Sequence, residues 1–599
     1  MSDAAVTPHT FYIPVMGTGF TIDTPLKVAQ FGISSSISLV DDVLIEKMRK
    51  HHAQSAGLPY QKISERDYDT RASRIRAYLN LVNYLVDQQI EAIRNQPFRP
   101  DQDITRYFQL LPEGPLKSTY KSMLKTRNPL KRRQLEKTLR STIRPGRIDV
   151  NIMTKVDAIR RRNLKTDLSQ PSDALSALRG FALSDLQSAV IFSAGLNPRL
   201  YQYAAEFPDF FPDANGQMKK QIIIKVSDYR SALIQGKYLA KRGLWVSEFR
   251  IESGLNCGGH AFASDGHLMG PILQEFSDQR ENLKRTMEKL WRSSLQKMKA
   301  IADVPLPDLH ICAQGGVGTA SEHQFLLDHF NIDEIGWGTP FMLAPDVTLV
   351  DDDHLKKLKQ AKPKDVSLSE ASPLGIPFWS LRDSASEAQR MALLQSETPG
   401  SKCPKEYAIT NTEFTEHPIC TASRQYQSIK VKELKDADIQ PEKKQSMLDR
   451  VLAKACICHD LAGSATTKLK LVKKAFPAIC CGPNIAFFNK TTNLKQMVDH
   501  IYGRISLLKQ ARRPNMFINE LRINFDWIAN ELDGYKRQIS DRPMAYFQTF
   551  KANLTKGIET YRQLAEDMID EQREAFLNEL KDLEQRLEVL FLSLQEATS

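Results

Sequence analysis

Cysteine is scarce in this chain and absent from its first 256 residues. Eight cysteines in 599 positions are too few for a disulfide scaffold, which makes the cytoplasm the default compartment. No Cys-x2-Cys pair occurs among them, so the strongest ligand spacing for zinc or iron–sulfur chemistry is missing. Long apolar runs are missing too. None approaches the roughly 18–20 residues that a membrane-spanning helix needs, so no membrane association is expected. The start, Met1-Ser2-Asp3-Ala4-Ala5-Val6, has neither a basic region nor an apolar core, so no secretory leader is expected. Internal repeats and long low-complexity tracts are also absent, which excludes a repeat array.

Acid is rare over one stretch. Between Lys117 and Arg147 eleven basic residues face a single acid, Glu136, so this segment carries nearly all of the formal net charge of +11. Such a run fits a solvated helix face, an acidic carrier protein or RNA. Over the whole chain the composition, 41% hydrophobic and 26% charged, is that of a globular protein with a sizeable core.

The first 340 residues alternate between short apolar runs and helical patterns. Strands are expected near 12–17, 31–37, 147–153, 188–195, 220–227, 244–251, 308–314 and 334–338. Helices are expected between them, including 43–95, 174–183, 229–241, 274–300 and 321–329. Residues 96–147 read as a basic, proline-interrupted helical insertion. This rhythm implies parallel βαβ units, and eight strands favour a (β/α)8 TIM barrel over an open sheet. The expected organisation is a barrel over 1–350, a cysteine-containing accessory subdomain over 351–505 and a helical region over 506–599. The serine- and proline-bearing stretch 351–400 reads as a crossing segment. The last helix carries Phe576, Leu580, Leu583, Leu587 and Leu590 as a stripe, suited to packing on the chain's own body or to a homodimer.

In such a barrel the functional groups follow the C-terminal ends of the strands. Asn151, Lys225, His260 and Gly315 all fall there. Gln314-Gly315-Gly316-Val317-Gly318-Thr319 closes one strand and opens a helix, so several backbone N–H groups are free to face an anion. Trp337-Gly338-Thr339 ends the next strand. Two glycine-bearing loops after the seventh and eighth strands point to a phosphate-bearing cofactor. Asn256-Cys257-Gly258-Gly259-His260 follows another strand. By itself it is an ordinary turn, but at that place its glycines permit close backbone approach and its imidazole can trade protons near neutral pH.

In order and spacing, Pro14-Val15-Met16-Gly17, Asp149-Val150-Asn151, Lys225-Val226-Ser227, Cys257-Gly258-Gly259-His260, Gln314-Gly315-Gly316 and Gly336-Trp337-Gly338-Thr339 resemble FMN-dependent barrels. That group includes nitronate monooxygenases and flavin-dependent enoyl-acyl-carrier-protein reductases. Cys481-Gly482-Pro483-Asn484, with Phe488-Asn489, is similar to an element of the trans-acting enoyl reductases of polyunsaturated fatty acid and polyketide synthases. The chain departs from nitronate-type sequences at Asn256-Cys257, where those have an acidic residue and alanine, and at Trp337.

The resemblance implies an FMN-dependent oxidoreductase acting on an enoyl thioester or a nitro-type substrate, with NAD(P)H as a candidate reductant. It implies that Gly315, Gly316, Gly338 and Thr339 hold the FMN phosphate, and that Met16 and Gly17 lie by the ring. Asn151 and Lys225 would hydrogen-bond the ring or ribityl chain, Gly258 and Gly259 would let the backbone approach, and His260 would act as acid or base. An RNA-modifying flavoenzyme and a non-catalytic flavin-binding scaffold are the rival readings. Six cysteines lie in turn-rich contexts between 401 and 490. Cys403, Cys420, Cys458 and Cys480 are the candidate ligands of an iron–sulfur cluster or zinc.

Overall fold

Every second residue at the end of Val246–Glu252 is charged: Glu248, Arg250 and Glu252. Residues two apart in a strand share a face, and a buried charged face is tolerable only where it finds partners. In the computed structural model, which describes residues 7–65, 68–159, 171–193, 195–299, 304–509, 513–568 and 570–598, that face points into a closed barrel. Residues 1–6, on which the leader reading rests, and positions 194 and 300, within or at the end of expected elements, lie outside the described residues.

The strands in chain order are β1 (Phe11–Ile13), β2 (Ser34–Ser38), β3 (Ile148–Met153), β4 (Ser188–Ser193), β5 (Lys220–Val226) and β6 (Val246–Glu252). Then come β7 (Gly259–His260), which lies outside the barrel, β8 (His310–Gln314) and β9 (Glu334–Gly336). β1 to β6, β8 and β9 pair in parallel, each with the next, and β9 returns to β1. Helices such as Asp173–Ala182, Tyr229–Ala240, Met269–Lys299 and Ala320–His329 link successive strands. The fold is a (β/α)8 TIM barrel with a helical extension, and all eight expected barrel strands are present.

The barrel interior is layered, as the period of two requires. Near the bottom, Arg250 is 1% exposed. It donates to Asp149 at 2.7 Å across the barrel, pairs with Glu248 along its own strand, and lies 4.1 Å from the centre of the Tyr12 ring. Arg147 closes the network on Glu248 and Glu334, at 3.1 Å each. Burial opposes ionisation of Glu248, but Arg250 and Arg147 outweigh it and hold that carboxyl down to about 2. One step higher, Ser38, Asn151, Lys225, Glu252 and Gln314 form the floor of a cavity at the strands' C-terminal ends.

The pattern over 43–95 is two helices, Asp42–Ser55 and Thr70–Asn95. Gly57, at φ +67°, and Pro59 end the first before the second can continue it. The insertion forms Asp103–Leu110, Pro115–Lys125 and Pro129–Thr142. Its basic run is not uniformly solvated. Lys117 is buried and donates to the carbonyls of Phe108 (2.8 Å) and Gln109, and Arg147 belongs to the barrel network. Lys121, Lys125, Arg127, Lys131, Arg133 and Lys137 are exposed, with Leu124 and Leu130 among them.

The stretch 351–400 is more than a crossing. It carries a hairpin, β10 (Val366–Ser369) and β11 (Phe378–Leu381), and β11 pairs antiparallel with β7. In the C-terminal region Phe576, Leu580, Leu583 and Leu587 are buried and Leu590 is partly so, in the same core as residues of Met516–Lys536 and Met544–Leu564. The stripe is therefore satisfied within the chain. Among the described residues no helix is long and apolar enough to cross a membrane.

Candidate active site at the barrel mouth

A cavity of about 220 Å3 opens where the strands end. Each barrel strand, or the loop just after it, contributes to its wall: Pro14, Ser38, Asn151, Ser193, Lys225, Glu252, Gln314 and Gly336. His260 and all ten expected cofactor contacts, Met16, Gly17, Asn151, Lys225, Gly258, Gly259, Gly315, Gly316, Gly338 and Thr339, line this one cavity. The accessory segment supplies the opposite wall, with Ser372, Leu374, Phe378, Cys458, Gly482 and Asn484 among its residues.

Lys225 pairs with Glu252 at 2.7 Å. Glu252 also accepts from Gln314 Nε2 at 2.8 Å, and Gln314 Oε1 accepts from Tyr12 OH at 3.0 Å. The cation is thus held by a chain of inward-facing groups from four strands. Among the described residues Asn151 Oδ1 and Thr18 Oγ1 are buried at the cavity without a hydrogen-bond partner. Unsatisfied buried polar atoms are costly, and a polar ligand would complete both.

His260 is fixed by strand pairing. β7 lies against β11 with His260 opposite Phe378, whose ring meets the imidazole edge-on at 5.1 Å. Its Nε2 is 2.7 Å from Ser372 Oγ, a fully buried hydroxyl that also accepts from Leu374 N–H at 3.2 Å. Burial, then the nearby charges of Lys155 and Lys225, push the imidazole down to about 4. It is neutral at physiological pH. Burial likewise pushes the Cys257 thiol up, with Glu252 adding to it, so that thiol is not a ready nucleophile.

The glycines serve more than one purpose. Gly315 (φ +110°) and Gly316 (φ +81°) need left-handed backbone, and a Cβ on Gly316 would lie 2.2 Å from Asn256 Nδ2. A Cβ on Gly258 would meet Cys480 O at 2.7 Å, so this glycine admits the accessory segment. Gly318 and Thr319 give their N–H groups to Glu322, the N3 residue of a capping box. Arg513 grips Glu322 at 2.6 Å and donates to Asn484 Oδ1 at 2.9 Å. The helix N-terminus is therefore partly satisfied by its own carboxylate, which leaves the preceding turn at Gly315 and Gly316 for an anion.

Glu252, Gln314 and Ser372 were not singled out from sequence. Glu252 and Gln314 end strands, so the strand-end rule could have found them. Ser372 lies in a stretch without periodicity and carried no signal. The helical region also reaches the site. Glu520 accepts from Ser253 OH, Met269 N–H and Tyr561 OH, and Asn256 is held by Met516 O and Asn519. These bonds clamp the loop that leads to His260.

Of the proposed ligand cysteines, Cys403, Cys420 and Cys458 gather with Cys456. Cys480 does not share those thiol–thiol contacts; its sulfur lies 3.3 Å from where a Cβ on Gly17 would sit. Among the described residues no three His, Cys, Asp or Glu side chains are placed to hold a single metal ion.

No family description matches the sequence, and no curated protein does. Among solved structures, the enoyl reductase domain of MlnA from the macrolactin biosynthesis cluster from Bacillus amyloliquefaciens aligns with 14% identity and a TM-score of 0.34. The alignment covers 68% of this chain and 88% of that one. At that identity and TM-score the likeness carries no argument about function.

Proposed function

We propose that the chain is an FMN-dependent oxidoreductase that reduces an activated acyl substrate of the enoyl thioester class. The observation that carries this reading is the convergence of Met16, Gly17, Asn151, Lys225, Gly315, Gly316, Gly338, Thr339 and His260 on one cavity. Among the described residues Asn151 Oδ1 and Thr18 Oγ1 have no partner; the amide oxygen needs a donor and the hydroxyl can donate or accept, which fits a cofactor carrying both, such as a flavin with its ring N–H and ribityl hydroxyls. FMN, when bound, would supply hydride or electron transfer.

The protein's own groups would do the rest. The turns at Gly315-Gly316 and Gly338-Thr339 would hold the phosphate, and Asn151 and Lys225 would hydrogen-bond the ring or ribityl chain. Lys225, steadied by Glu252, would favour negative charge on the ring side of the cavity. Ser372 would donate its hydroxyl proton to His260 Nε2, since its oxygen already accepts from Leu374 N–H. That keeps the N–H of His260 on Nδ1, where a neutral imidazole can hydrogen-bond the acyl carbonyl oxygen as charge develops there. An ammonium-rich, buried setting disfavours the imidazolium, so His260 serves as a hydrogen-bond donor rather than a strong acid. The exposed basic face of the insertion would dock an acidic carrier protein bearing the acyl group.

The test is direct. The purified chain is expected to show a flavin spectrum, to release FMN on denaturation, and to turn over crotonyl thioesters with NADPH. A colourless chain that does not take up added FMN would sink the proposal. Turnover of nitronates with oxygen, without any thioester reduction, would move the substrate to the nitro class.

A further inference from the structure

A second cavity, of about 210 Å3, adjoins the one at the barrel mouth. Lys225, Glu252, Cys257 and Phe262 line both, so these residues are the partition between them. The second cavity lies over the ends of β3, β5 and β6 and against the helix Tyr229–Ala240. The two differ in chemistry. The accessory wall of the first is apolar at Leu374, Ala408, Ile457 and Leu461. The second presents donors. Among the described residues Lys155 Nζ, Ser227 Oγ and Gln235 Nε2 line it with no acceptor. The Lys155 ammonium has no carboxylate partner and stands 4.1 Å from the centre of the Phe262 ring. Gln235 is 5% exposed, and its Oε1 accepts from Tyr201 OH at 2.6 Å, which leaves the N–H groups of Nε2. The one carboxylate among the described lining residues, Glu252, is held by Lys225 at 2.7 Å and by Gln314 at 2.8 Å. Asp228, the cap of the neighbouring helix, accepts from Ser231 N–H at 2.6 Å and Ser231 OH at 2.7 Å. A wall that offers an ammonium, an amide and a hydroxyl, with the nearby carboxylates already engaged, complements an anion rich in acceptor oxygens.

We propose that the second cavity binds a phosphate ester carried on the thiol side of the thioester substrate, with Lys155 as its cation and Ser227 and Gln235 donating to its oxygens. The inference rests on the thioester reading of the first cavity, and it gives the substrate a direction. The acyl chain lies against the apolar accessory wall and its carbonyl by His260. The thiol arm passes the partition at Cys257 and Phe262 to reach the phosphate site. Lys155 suits that end because an ammonium on a flexible stem meets a phosphate as a point charge. Its side chain is exposed, so the site is open on the side from which an arm tethered to a larger carrier would enter.

The experiment measures binding of phosphopantetheine and of pantetheine to the full chain by calorimetry, with turnover of their crotonyl thioesters alongside. The phosphate is expected to tighten binding roughly ten- to a hundredfold, as a charge-assisted hydrogen bond does. The same preference should appear in kcat/KM, chiefly through KM. Lys155→Met is expected to lose about tenfold of that preference, and Lys155→Arg to keep most of it. Equal binding of the two arms, or the full preference in Lys155→Met, would overturn the proposal. A loss in Lys155→Met confined to NADPH, with NADH unaffected, would give the cavity to the dinucleotide's phosphate and overturn it as well. Phosphopantetheine binding needs neither flavin nor reductant. A colourless, inactive chain would therefore end the thioester-reduction reading while the calorimetry still decides the cavity.

Discussion

Replacing Ser372 by alanine isolates the part of the site that lies outside the barrel. In the native protein its Oγ is 2.7 Å from His260 Nε2, and the hydroxyl is fully buried. Alanine leaves Nε2 in a shielded place with no partner, a penalty of about 1–3 kcal/mol. If that penalty falls on the transition state, where the imidazole must be held in one tautomer, the rate falls about 5- to 150-fold. The loss is expected in kcat, with FMN affinity unchanged, because Ser372 faces His260 rather than the glycine turns.

The pH profile separates orientation from mere structure. Because burial beside Lys155 and Lys225 lowers His260 to about 4, the neutral form that hydrogen-bonds substrate is present above that value and lost as pH falls through it. Native kcat/KM is therefore expected to stay level from about pH 8 to 5 and fall only near pH 4. His260→Ala should keep the flavin and lose roughly 10²- to 10⁴-fold in turnover. Steady-state kinetics across pH, with flavin content measured in parallel, read all three outcomes. An acidic limb at the ordinary histidine value of 6.5, or a Ser372→Ala enzyme with native kcat, would refute the reasoning.

Arg250→Met should destabilise the fold by about 3–5 kcal/mol, because it takes the nearest cation from buried Asp149 and leaves buried Glu248 with Arg147 alone. Glu248 is held low, so its pairing adds stability above the ordinary carboxylate range and loses it as pH falls towards about 2. The variant's deficit in thermal melts should accordingly be largest near neutral pH and narrow on acidification; a deficit flat with pH would mean that packing alone was lost. Lys225→Met removes the partner of Glu252 and a charged hydrogen bond of about 1.5–3 kcal/mol, so FMN should bind roughly ten- to a hundredfold more weakly in equilibrium dialysis. An unchanged Kd would take Lys225 out of the cofactor site.

Local signals were strong where local physics dominates. The eight barrel strands were legible because most are short apolar or alternating runs between helical patterns, and the strand-end rule then pointed to Asn151, Lys225 and His260. The break after Ser55 was missed although Gly57 and Pro59 mark it, because a second helical pattern follows from Thr70. Glu252 and Gln314 were legible in principle, by their position, but a lone carboxylate or amide at a strand end says nothing until Lys225 is found 2.7 Å from Glu252.

Sequence alone determined the barrel, its helical insertion and part of the residues that reach its mouth, because periodicity of two and of 3.6 and the places of glycine act over a few residues. Tertiary structure alone decided the rest. It put Ser372 on His260, set Glu322 against the N–H groups of its own helix, buried Lys117 within a run that reads as surface, and exchanged Cys480 for Cys456 among the gathered thiols. Those choices depend on which distant segments pack together, and contacts across hundreds of residues leave no period in the chain.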